Sequence, residues 1–102
     1  MPSPFSAKRI LITGGAAPIP AATWTRGERE FVVTIRNDAS GGGPVYVTSL
    51  PDGGVDDAHP IPSGDLIEIR VPAASPFTPP TTETAYVFAD TNRYAYVFVA
   101  PH

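Results

Sequence analysis

Glu30-Phe31-Val32-Val33-Thr34-Ile35-Arg36 runs straight into Asn37-Asp38-Ala39-Ser40-Gly41-Gly42-Gly43. The first stretch is rich in β-branched and aromatic residues, and it alternates. Phe31, Val33 and Ile35 fall on one face; Glu30, Thr34 and Arg36 fall on the other with Val32. The second stretch holds small polar residues and three consecutive glycines, so no periodic structure continues through it.

The same succession of run and break fills the chain. Arg9–Thr13, Val45–Ser49, Leu66–Val71, Ala85–Ala89 and Tyr94–Val99 are further strand-length runs of Val, Ile, Phe and Tyr. The segments between them hold most of the 13 prolines and 9 glycines, which leaves no room for a long helix. The expected fold is all-β. It is a single small antiparallel β-sandwich, jelly-roll or Ig-like, of about six to eight short strands. The 102 residues make one domain, with residues 1–6 as an extended N-terminal arm and residues 7–102 as the sandwich. The expected core is Ile10, Ile12, Phe31, Val33, Ile35, Val47, Ile67, Ile69, Val87 and Val97.

The breaks carry finer expectations. Pro18 and Pro20 keep Ala16–Ala22 out of any central strand, and Thr23-Trp24-Thr25 forms at most a brief edge pairing. Leu50–Ile61 reads as irregular, and Pro62-Ser63-Gly64-Asp65 as a tight turn. Pro72–Thr84, with four prolines, reads as a long extended connection pinned by Phe77. Asn37–Gly43 and Asp90-Thr91-Asn92-Arg93 both read as hairpin connections.

Charge and composition restrict function. The net charge of −3 and pI near 5.1 argue against a nucleic-acid partner, and the few basic residues are scattered along the sequence. No apolar run is long enough to cross a membrane as a helix, and Met1–Ser6 does not read as a secretory signal. Without cysteine there is no disulfide or thiolate chemistry, which tilts towards an intracellular origin.

Catalytic and metal signatures are weak. His59 lies near Asp56 and Asp57, but two adjacent aspartates do not converge readily on a cation, and no nucleophile elbow accompanies the histidine. The glycine run lacks the helix and lysine of a phosphate cradle. The expectation is no enzyme, no metal and no cofactor. The candidate partner contacts are Phe5 on the arm, Trp24, Phe77, Tyr94 and Tyr96. Trp24 reads first as a core or rim anchor. For Tyr94 and Tyr96 two readings stand: a contact surface, or a sheet face covered by the proline-rich loops.

The order of features resembles a family of small β-sandwich accessory proteins in tailed-bacteriophage virions, the decoration or head-fibre-base type. The resemblance rests on Ile10-Leu11-Ile12-Thr13, Ala16–Ala22, Phe31–Asn37, Gly43-Pro44-Val45-Tyr46-Val47, Pro62-Ser63-Gly64-Asp65, Ile67-Glu68-Ile69, and the Tyr86-Val87-Phe88 and Tyr96-Val97-Phe98 repeats. Pro72–Thr84 departs from that pattern. The resemblance implies a capsid decoration protein in the virion, assembled in the host cytoplasm. It would bind a major capsid protein or another virion protein through loops and the N-terminal arm, and a homo-oligomer is compatible with that role. The alternative is a stand-alone recognition module, such as a carbohydrate-binding domain using Trp24.

Overall fold

The computed structural model describes residues 6–27, 30–40, 42–73 and 82–101. They form eight strands: β1 (Ser6–Ile12), β2 (Ile19–Thr25), β3 (Phe31–Asn37), β4 (Val45–Thr48), β5 (His59–Ile61), β6 (Leu66–Val71), β7 (Thr82–Ala89) and β8 (Arg93–Pro101). One sheet has the order β1-β8-β3-β6 and the other β2-β7-β4-β5, all pairs antiparallel. Each strand thus pairs with its mirror image in chain order, as when a long two-stranded ribbon is rolled up. This is the jelly-roll arrangement, one of the two topologies expected from the sequence.

In such a roll only β4 and β5 are both consecutive and paired; every other connection between consecutive strands changes sheet. The Asn37–Gly43 and Asp90–Arg93 segments are therefore corners between sheets and not hairpins. Asn, Asp and Gly serve a corner as well as a hairpin, so local turn chemistry cannot tell them apart.

Two strands lie where the sequence suggested little regular structure. β2 contains Pro20 and β5 contains Pro60, and they are the two edges of the second sheet. Proline, lacking an N–H, is tolerated there and blunts the edge. A register shift between Pro20 and Ala22 turns both Ala21 and Ala22 inward, which breaks the alternation that would have revealed the strand. β7 begins at Thr82 and β1 at Ser6, so the last residues of the expected connection and of the expected arm already belong to strands. Phe5 and Phe77 lie outside the described residues.

The core sits between the sheets. Ile12, Val33, Ile35, Val47, Val87 and Val97 are buried as expected, while Ile10, Phe31, Ile67 and Ile69 are half-buried against them. Val45, Ile61, Val71 and five alanines complete it. Burial of each Val or Ile side chain contributes about 1.5–3 kcal/mol.

One end of the roll is closed by a buried polar cluster. Arg93 is 3% exposed. Its guanidinium donates to Asn37 Oδ1 from Nε (3.1 Å) and Nη2 (3.0 Å), to the Asp38 carbonyl, and to Ser63 Oγ (3.2 Å). Asn37 Nδ2 donates in turn to the carbonyls of Gly43 (3.0 Å) and Ile61 (2.8 Å). The β3–β4 and β5–β6 connections are thereby tied to the first residue of β8. The β1–β2 corner joins them: Gly14 N donates to Asn92 Oδ1 (2.8 Å), and Gly15 N to the Ala89 carbonyl (2.9 Å).

Candidate functional site

Strand alternation on β8 sends Ala95 and Val97 into the core and Tyr94, Tyr96 and Phe98 outward. β8 is an inner strand of the first sheet, so its outward side chains stand in the middle of a four-strand face. The register sets their neighbours. Leu11 lies opposite Tyr94, Arg9 and Arg36 flank Tyr96, and Ala7 and Thr34 flank Phe98. Leu66 lies beside Arg36, Glu68 beside Thr34 and Arg70 beside Val32. The Arg9 guanidinium sits 4.7 Å over the Tyr94 ring, a cation–π contact.

The central aromatics of this face are exposed, whereas the central aromatics on the outer face of the second sheet are buried or half-buried. Tyr96 is 42% exposed, but Phe88 on β7 is only 8% exposed, with Tyr46 stacked on it at 5.0 Å and 17°. Aromatics flanked by arginine, with little lysine, are the composition of a protein-docking surface. A small depression of about 330 Å³ opens on it between Arg36, Asp38, Ala39 and Tyr96. The Asp38 carboxyl is held below its ordinary value, chiefly because the Ser40 hydroxyl donates to it (2.9 Å), with Arg93 assisting.

The opposite end of the roll holds a cleft of about 710 Å³. β4 stops at Thr48 while β7 runs on past it, from Tyr86 back to Thr82, paired only with β2. The notch this leaves is floored by Ile67 and Ile69 and walled by Trp24, Glu83 and Tyr86, with Asp57 and His59 on its lining. Trp24 packs on the core and meets Phe31 edge to face (6.4 Å, 79°), but its buried Nε1 has no hydrogen-bond partner among the described residues. Glu83 is ion-paired with Arg26. Among the described residues, no three of His, Asp and Glu come close enough together to hold a metal ion.

A third feature is the β4–β5 loop, which turns through one short 3₁₀ segment, Val55–Asp57. It exposes Leu50 and Val55 beside Asp52, Asp56 and Asp57.

Of the five residues singled out in the sequence, Tyr94 and Tyr96 share the open face and Trp24 lines the cleft at the other end. The sequence reading missed Leu11, Leu66, Phe98 and the two flanking arginines, which only strand pairing brings together. The alternation Tyr94-x-Tyr96-x-Phe98 was the available signal for Phe98. Comparison with family models, with curated proteins and with solved structures finds no match.

Proposed function

We propose that this chain is a non-enzymatic assembly protein, a capsid decoration or other accessory component of a phage-like particle. The observation that carries the reading is the gathering of large exposed apolar side chains. Five of them, Leu11, Leu66, Tyr94, Tyr96 and Phe98, share one sheet face. Scattered apolar residues are ordinary on a protein surface, but a contiguous patch marks a contact. A rigid two-sheet frame suits repeated docking on a shell, and the virion resemblance in the sequence points the same way. The partner is then a major capsid protein or another virion protein, with the loops and the N-terminal arm adding contacts.

The test follows an epitope-tagged chain through density-gradient purification of particles from its source. Co-sedimentation with particles, reduced by Tyr94→Ser together with Tyr96→Ser in a protein that remains folded, supports the reading. A chain that stays with the free protein defeats it.

The cleft favours a second reading, a carbohydrate-recognition module. It offers Trp24, Tyr86, His59, Asp57 and several hydroxyls around a space of small-ligand size. A glycan-array signal abolished by Trp24→Ala would establish it in place of the first.

A further inference from the structure

We infer that this chain associates with further copies of itself head to tail, the β4–β5 loop of one copy seated on the aromatic face of the next. Among the described residues, seven large apolar side chains are exposed. Five lie on the outer face of the first sheet, and the other two, Leu50 and Val55, lie on the β4–β5 loop. The two patches differ in charge. Around Tyr96 the face carries Arg9 and Arg36, with Glu68 and Arg70 together on β6 and Glu30 and Asp38 at the two ends of β3, and the loop carries Asp52, Asp56 and Asp57 with no basic residue from Ser49 to Ala58. The arginines beside Tyr96 and the aspartates of the loop are opposite in charge.

The geometry selects an intermolecular contact between unlike patches. The loop belongs to the second sheet and the face is the outside of the first, so one copy cannot fold its own loop onto its own face. Two faces brought together at Tyr96 would oppose Arg9 and Arg36 with their own counterparts. Joining the loop to the next copy's face is heterologous, and such contacts close into a ring or run on as a filament.

The loop is also built to dock with little ordering cost. Gly53 N donates to the Leu50 carbonyl (3.2 Å), Asp57 N to the Gly54 carbonyl (2.9 Å), and Leu50 N to Thr48 Oγ1 (3.1 Å). A Cβ on Gly53 would stand 2.6 Å from Thr48 Oγ1, so the loop lies tight on the end of β4. The depression beside Arg36 and Tyr96 offers room for Leu50 or Val55. Asp38 on its rim is the one acidic group there, and its carboxylate is engaged by Ser40.

The inference deepens the assembly reading by naming a second copy as one partner, yet it is tested on the isolated chain. Its failure leaves the particle experiment standing, and absence from particles leaves self-association standing. Sedimentation velocity of the full chain should show concentration-dependent association that weakens as salt rises. A face variant, Arg9→Glu with Arg36→Glu, and a loop variant, Asp52→Lys with Asp56→Lys and Asp57→Lys, should each associate about tenfold more weakly or worse when alone. Mixed, they should associate again, because each now supplies the charge its partner lacks. Circular dichroism checks that both are folded. If a charge variant misfolds, Leu50→Ser with Val55→Ser removes the apolar knob and should also give monomers. A wild-type chain that stays monomeric at millimolar concentration overturns the inference. So does a folded loop variant that associates as well as the wild type, or a mixture of folded variants that does not associate.

Discussion

At one end of the roll, Arg93 is buried and each acceptor it meets belongs to a different connection or strand end; at the other, the Trp24 indole N–H is buried and meets none among the described residues. The closed end is held by directional bonds of short reach, which specify how the corners sit. The open end is held by packing of half-buried Phe31, Ile67, Ile69 and Trp24 and by an ion pair near the surface. Apolar packing tolerates a gap, whereas a buried guanidinium does not tolerate a missing acceptor. Cavity space therefore collects at the end closed by packing.

The largest expected effect is at the closed end. Arg93→Ala leaves Asn37 Oδ1 without either of its guanidinium donors, and it should cost about 2–4 kcal/mol by urea unfolding, as for a broken buried hydrogen-bond network with its acceptors left unsatisfied. A loss under about 1 kcal/mol would mean that water replaces the guanidinium and that the two ends do not differ as described.

Gly42→Ala probes the same cluster from its rim. Gly42 has φ of +108°, and a Cβ there would lie 2.7 Å from Arg93 Nη1. The substitution should cost about 1–3 kcal/mol, and Gly27→Ala, where φ is ordinary and a Cβ meets open space, should cost far less. Equal costs would place the cause in the unfolded chain.

Changes at the open end should be smaller. Glu83→Gln should shift stability by about 0–1 kcal/mol, because the Arg26 pair is 38% exposed on both sides. Trp24→Phe keeps an aromatic ring and removes the unpartnered donor, so its thermal midpoint should fall little or not at all. A large drop would show that the indole N–H has a partner in solution, and the contrast between the ends would narrow.

The smallest effect is electrostatic. The Asp38 pKa is lowered in the folded protein, so its contribution is present above the unfolded value of about 3.9 and is lost as pH falls through the lower folded value. Ser40→Ala should raise the Asp38 pKa in an NMR titration towards its ordinary value. An unchanged pKa would shift the credit from Ser40 to Arg93.

Alternation and punctuation made much of this molecule legible. Phe31–Ile35, Ile67–Val71 and Ala95–Val97 show which side chains face inward, because the period of two is a local property of an extended chain. The strand runs and the all-β class follow from the same signal. β2 and β5 escaped it because their prolines look like breaks, and only their placement at a sheet edge makes those prolines harmless. Arg93 read as a turn residue because nothing local marks a charge for burial; Asn37, Asp38 and Ser63 come to it from 30 to 56 residues away.

The candidate surfaces divide in the same way. That Tyr94, Tyr96 and Phe98 share one side of a strand is determined by the sequence alone, since alternate residues of a strand point together. That this side is open, and that Arg9, Arg36, Leu11 and Leu66 surround it, was decided only when β1, β3 and β6 assembled around β8. The pairing of strands so distant in the chain depends on how the whole ribbon rolls up, and that order is a property of the two packed sheets together.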